Sequence, residues 1–230
     1  MFVGIHTRPR KTVRWATPVI FASLWLAHLW LATRPPAEQQ LAQQGWGALT
    51  GGLRSPQAWH VAMVDGSLLR LLSALFLHAD WAHLVGNLAF LLIFGLPAER
   101  VMGGRRFLML FLLGGVVANL AAVLSVGEPD RVIIGASGAV SAVIGAYLAL
   151  FPGAHLGVVL PLGLFLQFVR VPAFLLIGLW ALLQLYFAYS GPSYGAVAWA
   201  AHLAGFAFGM AFALATRAAI ARRLRRSRGF

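Results

Sequence analysis

Six long apolar segments dominate this sequence of 230 residues and restrict the folds open to it. A bilayer span needs about 20 mainly apolar residues, and its backbone groups must be hydrogen-bonded within the span, which favours α-helices. Charged residues make up only 10% of the chain, whereas soluble domains contain about 25%. We therefore predict a polytopic all-α membrane protein. The predicted spans are residues 15–33, 81–97, 107–126, 132–151, 172–190 and 196–216.

The distribution of basic residues predicts the orientation of this bundle. The chain carries 18 Lys and Arg and a net charge of +12, with clusters in the first 14 and the last 14 residues. Such residues are enriched on the cytoplasmic side of membrane proteins. We predict one six-span domain over 1–230, with cytoplasmic basic tails at 1–14 and 217–230. The tails are expected to contact anionic lipid. Nucleic-acid binding is not expected, because no aromatic residue interleaves the C-terminal tail before Phe230.

Two further apolar stretches are too short or too interrupted to be spans. Residues 155–169 contain Pro161, and a seventh span there would place the basic termini on opposite sides. We predict an interfacial or re-entrant stretch on the cytoplasmic side. The outer loop 34–80 is predicted to contain an interfacial element at Ser67–Leu77, because its tryptophans favour that depth. An alternative makes 15–33 a signal peptide, but no small-x-small cleavage site precedes the loop.

Four polar residues lie near the starts of predicted spans that run from outside to inside. His83 and Asn87 belong to span two, Ser137 to span four and His202 to span six, so topology places them in one outer-leaflet layer. Polar groups inside spans are costly and usually functional. A serine and a histidine that meet form a nucleophile and its general base. A helix from Ser137 to about Pro152 would be about 24 Å long, so the serine would lie below the surface, in a cavity open to water.

Small residues around the serine and the histidine favour close contact between their helices. Gly135 permits a backbone conformation that other residues resist, and Gly138 removes bulk beside the serine. Gly205 and Gly209 lie on or near the histidine face of span six. Small faces let membrane helices approach closely, which a direct hydrogen bond between Ser137 and the histidine requires.

The same outer-leaflet layer also contains hydrogen-bond donors and histidines of the kind that bind metals. The backbone N–H of Ser137 at a helix start, with the side chains of His83 and Asn87, could stabilise a developing oxyanion. His78, His83 and His202 could in principle converge on a metal. No carboxylate is placed as the base that such a site would use. We therefore predict neither a metal nor a cofactor.

At these residues the chain resembles the rhomboid intramembrane serine proteases, over nearly its whole length. The matching motifs are His78-(x4)-His83-(x3)-Asn87, Gly135-Ala136-Ser137-Gly138 and Ala201-His202-x-x-Gly205-x-x-x-Gly209. Three motifs in order, each on the expected span, are specific to the family. The resemblance implies Ser137 as nucleophile and His202 as base, with no third acid. It also implies an oxyanion hole made by His83, Asn87 and the Ser137 N–H.

Two positions depart from the family pattern. Arg70 lies eight residues before His78, where the family often has a Trp-Arg pair in its first loop, but Leu69 replaces the tryptophan. Ser141 lies where many relatives place an aromatic ring against the catalytic histidine. This departure concerns how the histidine is held and removes no catalytic atom. His78 itself is predicted to be structural or to orient a loop.

The resemblance implies a serine endopeptidase that cleaves single-span membrane proteins in or near their transmembrane segment. Only one of the 18 basic residues is lysine, a bias typical of a high-GC bacterium. We therefore predict a multi-pass protein of the bacterial inner membrane, with its site open to the outer face. One alternative is a catalytically inactive rhomboid-like protein that binds transmembrane helices. Another is a small proton transporter, for which no inverted repeat is visible. No oligomeric state is predicted.

Overall fold

Helices predominate in the computed structural model, which describes residues 14–51, 53, 55–125, 131–162, 165–190 and 199–228. The backbone alone is described at 159–162, 165–166 and 226–228. The helices are α1 Ala16–Ala32, α2 Pro36–Trp46, α3 Pro56–Val64, α4 Arg70–Ser73, α5 Trp81–Phe90, α6 Leu96–Met102, α7 Gly104–Ser125, α8 Ser137–Leu150, α9 Ala173–Ser190 and α10 Trp199–Arg228. The strands are β1 Ala48–Leu49, β2 Val132–Ile133, β3 His155–Leu162 and β4 Phe165–Pro172. The predicted N-terminal tail lies outside the described residues except for Arg14.

Each of the predicted spans contains an α-helix. Four helical segments are long and apolar enough to cross a bilayer: Trp81–Met102, Gly104–Ser125, Ala173–Ser190 and Trp199–Arg225. The first of these joins α5 to α6 through a π-helical turn, Leu91–Gly95. The helices α1 and α8 are apolar but shorter, with 17 and 14 residues. The all-α membrane bundle is confirmed, while six spans and cytoplasmic termini stay predictions.

Two segments between these helices have more regular structure than the sequence suggested. The predicted outer loop contains α2, α3 and α4, and β1 pairs with β2 in the register Ala48–Ile133 and Leu49–Val132. This pairing ties the loop to the chain just before α8. Residues 155–169, predicted to be interfacial or re-entrant, belong to an antiparallel hairpin of β3 and β4. Glycine and proline disfavour a helix there, and valine favours a strand.

The centre of the bundle is α8, which is buried on all sides. Every residue from Gly138 to Tyr147 is buried, and most of them are glycine, alanine, serine or valine. Helices that are apolar all round are typical of buried positions. The helices α7 and α10 pack against α8, as does the π-helical turn of the second span. The first residue of this buried helix is Ser137.

Glycines bring α8 and α10 into backbone contact. The Gly138 carbonyl oxygen occupies the space that a Cβ on Gly205 would need, and the Ala142 carbonyl oxygen does the same at Gly209. In the other direction, Gly145 of α8 faces a backbone carbonyl of α10. Small residues on both helices therefore produce the close approach that the sequence predicted.

Glu99 fixes the position of α1 against the second span. Its Oε1 accepts hydrogen bonds from the N–H groups of Trp15 and Ala16, both at 2.8 Å, and its Oε2 accepts from Thr17 N–H at 2.9 Å. Unpaired N–H groups at a helix start favour an acidic partner. From the sequence alone, Glu99 is expected to cap a helix or to pair with the group Arg100, Arg105 and Arg106. Both of its carboxylate oxygens accept hydrogen bonds from backbone N–H groups at the start of α1.

Replacing Glu99 by alanine should therefore destabilise the bundle. The side chain is only 1% exposed, and each buried donor left without a partner costs about 1–3 kcal/mol. Two of the three donors, the N–H groups of Ala16 and Thr17, are buried, so we expect a loss of at least about 2 kcal/mol in the free energy of unfolding, measured by thermal or denaturant unfolding in detergent. Glu99→Gln keeps one acceptor oxygen and should lose less. Equal stability of Glu99→Ala and the wild type would contradict this role.

Candidate active site

The polar residues predicted to lie in one layer meet in a cleft of about 240 Å³ between α5, α8, α9 and α10. Its polar lining consists of His83, Asn87, Ser137, Ser141, Gln184 and His202. The apolar part of the lining includes Phe90, Val140, Ile144 and Trp180. The cleft therefore combines an apolar wall with a few convergent polar groups, which is typical of binding and active sites.

Ser137 and His202 form a direct hydrogen bond across the α8–α10 contact. The Ser137 Oγ lies 2.8 Å from the His202 Nε2, although 65 positions separate the two residues. Ser137 is the first residue of α8, and His202 lies in the first turn of α10. A hydroxyl that donates to an imidazole nitrogen can lose its proton to it, which is the arrangement of an activated serine nucleophile.

The other ring nitrogen of His202 contacts Gln184 of α9. The distance from Nδ1 to the Gln184 Oε1 is 2.7 Å. Sequence reasoning missed this residue, although a usable signal was present. Gln184 is an amide inside a predicted span, where an unpaired polar group is costly. The sequence could not identify its partner, because that partner lies on a different helix.

Ser141 does not hold the histidine ring. Its Oγ donates to the Ser137 carbonyl oxygen at 2.7 Å, a back-bond within α8 that serine often makes in helices. The aromatic neighbour of His202 is instead Trp199, whose ring meets the imidazole edge-on with centroids 6.1 Å apart. His202 is thus contacted by the Gln184 side chain from α9 and by the Trp199 ring from α10. Neither contact comes from the position of Ser141, where the resemblance would lead us to expect an aromatic ring.

His83 and Asn87 line the same cleft from one face of α5. Asn87 is buried, and its Nδ2 has no hydrogen-bond partner within the described part of the chain. The His83 ring lies beside Gly135, where an added Cβ would lie 2.6 Å from the His83 Cε1. Gly135 also has a φ of +119°, a conformation that favours glycine. Glycine at position 135 therefore permits the positive φ and also leaves room for the His83 ring.

His78 and Arg70 lie outside the cleft lining. The Ala136 N–H donates to the His78 Nε2 at 3.4 Å, so His78 contacts the loop that leads to the serine. Burial, with a smaller effect from neighbouring His83 and His28, lowers the pKa of His78 to about 3. The ring is therefore neutral and Nε2 can accept. The Arg70 Nη1 lies 3.4 Å from the Gln44 carbonyl oxygen, to which it donates.

Comparisons with known proteins show the family to which the chain belongs. Residues 65–219, more than half of the chain, match the family model of the Rhomboid domain. The chain is 31% identical to YdcA of Bacillus subtilis, named as a candidate rhomboid protease, over 146 residues, which are 63% of this chain and 68% of that protein.

Two other relatives match over shorter regions. Rhomboid-related protein 2 of Mus musculus is 35% identical over 46% of this chain and 34% of its own length. Rhomboid protease GluP of Bacillus subtilis is 35% identical over 37% of this chain and 16% of its own length. The chain thus spans about a third or less of the length of these two proteins. From the family model and the match to YdcA, we conclude that the chain belongs to the rhomboid family.

Proposed function

We propose that this protein is an intramembrane serine endopeptidase that cleaves single-span membrane proteins in or near their transmembrane segment. The observation that carries the proposal is the hydrogen bond between Ser137 Oγ and His202 Nε2 at the edge of the polar cleft. Family membership supports it, since one relative is named a rhomboid protease. The proposed unit is one domain over 1–230.

In the proposed reaction, Ser137 Oγ attacks the carbonyl carbon of the scissile peptide bond while His202 Nε2 takes its proton. The tetrahedral intermediate collapses, the C–N bond breaks, and the protonated histidine gives its proton to the leaving amine. Water then attacks the acyl-enzyme ester, again with His202 as the base, and releases the new carboxyl terminus. Ser137 regains its proton, so both groups return to their starting state.

Three donors are proposed to stabilise the oxyanion of this reaction. The N–H of Ser137 lies at the start of α8, where helical N–H groups have no partner within the helix. The Asn87 Nδ2 is buried without a partner among the described residues, so it can donate to a substrate oxygen. His83 lines the same cleft one helical turn away.

Replacing Asn87 by alanine should lower kcat by about 10²- to 10³-fold, because a lost oxyanion donor costs about that factor. Asn119 provides a matched control, since it is a second buried asparagine whose Nδ2 donates to the Leu71 carbonyl oxygen at 2.8 Å. Asn119→Ala should reduce thermal stability and leave the kcat of the folded fraction nearly unchanged. A kcat within twofold of the wild type for Asn87→Ala would remove this residue from the oxyanion hole.

The proposed substrate is a single-span protein whose helix unwinds easily and carries a small residue before the cut, as the family resemblance implies. A helical peptide bond is shielded by its own backbone hydrogen bonds and must be unwound before attack. The proposed location is the inner membrane of a bacterium, with the cleft open to the outer face.

The deciding experiment combines active-site labelling with a cleavage assay. The reconstituted protein would be treated with a fluorophosphonate, and mass spectrometry would locate the adduct. In parallel, the protein would be incubated with a model single-span substrate. Labelling of Ser137 together with cleavage is the expected result. If folded protein shows no labelling and no cleavage, the result would favour the alternative, a catalytically inactive protein that binds transmembrane helices.

A further inference from the structure

Gln184 occupies a buried position on a helix that is otherwise largely exposed. The buried residues of α9 are Ala173, Ile177 and Gln184, which lie on or near one face of the helix. The neighbouring Leu183 and Leu185 are exposed at 46% and 56% of their surface, whereas Gln184 is exposed at 6%. A long amide on the buried face of a membrane helix is costly unless it is hydrogen-bonded.

The chemistry of the Gln184–His202 bond determines the tautomer of the histidine. An amide oxygen can only accept, so the Nδ1 that lies 2.7 Å from Gln184 Oε1 must carry the proton and donate. The neutral ring then has its lone pair on Nε2, which faces the Ser137 hydroxyl. The other tautomer carries its proton on Nε2 and cannot accept from the serine.

We propose that Gln184 is a positioning residue that holds His202 in the tautomer and ring orientation needed to deprotonate Ser137. This inference rests on the proposed function, in which His202 is the base. Gln184 does this from α9, whereas the serine and the histidine belong to α8 and α10. Because the amide is neutral, it orients the ring without placing a negative charge beside the imidazolium that forms during the reaction.

The other neighbours of the imidazole do not compete for this role. Trp199 contacts the ring edge-on, which limits its movement but does not distinguish the two nitrogens. The Ser141 hydroxyl donates to a backbone carbonyl. In the described ranges, the hydrogen bonds of the His202 ring are those with Gln184 and Ser137. Loss of the Gln184 acceptor is therefore expected to release the ring to both tautomers.

The kinetic test compares two substitutions at this position. Gln184→Met keeps the length of the side chain but removes the acceptor, and kcat should fall by about 10- to 100-fold with KM within about twofold. Gln184→Glu keeps an acceptor oxygen and should recover most of the lost kcat. Leu185→Ala, on the exposed face of the same helix, should change neither constant. Unchanged kcat in Gln184→Met, or no recovery in Gln184→Glu, would overturn the proposal.

A spectroscopic test separates this proposal from the proposed function. Nitrogen-15 NMR of labelled histidine in the reconstituted protein reports which ring nitrogen carries the proton, with His202→Gln used to assign the signal. We expect an Nδ1–H ring in the wild type and a mixture of tautomers in Gln184→Met. An Nε2–H ring in the wild type, or no change in Gln184→Met, would overturn the positioning role. A wild type that neither cleaves nor reacts with fluorophosphonate would refute the proteolytic function, while the NMR result would still decide the orientation of His202.

Discussion

Replacing Ser137 by alanine should reduce the rate of substrate cleavage by about 10⁴-fold or more, and replacing His202 by alanine should have a similar effect. The two side chains share one hydrogen bond of 2.8 Å and act on the same proton. A residue pair that acts as a unit gives non-additive losses. The double variant should therefore be no slower than the slower single variant.

The measurement is kcat/KM for a single-span substrate with all four proteins at matched folded fractions. Ser141→Ala is the matched control, since Ser141 lies one turn along α8 and its hydroxyl bonds back to the Ser137 carbonyl oxygen. It should retain activity to within a few-fold. Retention of more than about 1% activity in either single variant, or a clear further loss in the double variant, would argue against the pair as the catalytic unit.

Replacing Gly205 by valine should disrupt both folding and activity. The Gly138 carbonyl oxygen fills the space that a Cβ at Gly205 would need, and backbone atoms cannot move aside as a flexible side chain can. Overpacking typically costs about 1–3 kcal/mol, and more where backbone must shift. Because Gly138 follows Ser137 and Gly205 lies three residues after His202, the same shift would separate the proposed nucleophile from its base. A misplacement of about 1 Å can cost about 10²-fold in rate.

Thermal unfolding and cleavage would be measured together for this variant. Gly178→Ala serves as the control, since a Cβ added at Gly178 on α9 has no atom of the described residues within 4 Å apart from its chain neighbours and the nearby backbone of its own helix. It should unfold at or above the wild-type temperature, because alanine favours a helix more than glycine does. Normal stability and activity in Gly205→Val would show that α8 and α10 tolerate separation, contrary to the close contact described above.

The sequence was sufficient to predict those features that follow from the length of the apolar segments and from the direction of the spans. The length of the apolar segments predicts helices because a bilayer leaves few alternatives for the backbone. The convergence of Ser137 with His202 follows from the parallel direction of their spans and from the glycines at 205 and 209. The start of α8 at Ser137 was expected, and Gly135 does adopt a positive φ.

Other features depended on partners that no local pattern identifies. Gln184 was visible as a polar residue in an apolar span, but its bond to His202 joins two separate helices. Glu99 was expected near arginines of adjacent sequence, yet both its oxygens reach residues more than 80 positions away. Residues 155–169 of the β3–β4 hairpin were predicted only as an interfacial or re-entrant stretch, because a short apolar run does not reveal a strand until its pairing partner is known.

The small side chains of α8 also have a consequence for conformational entropy. Glycine and alanine lose no rotamer freedom on burial, whereas long side chains lose up to about 2 kcal/mol each. Half of the buried residues of α8 from Gly138 to Tyr147 are glycine or alanine, so ordering this helix immobilises few rotatable bonds. Its position is defined by backbone surfaces, which have no alternative rotamers to occupy. Thermal motion of the Ser137 Oγ should therefore be limited mainly to its own χ1, which the hydrogen bond to His202 restricts in turn.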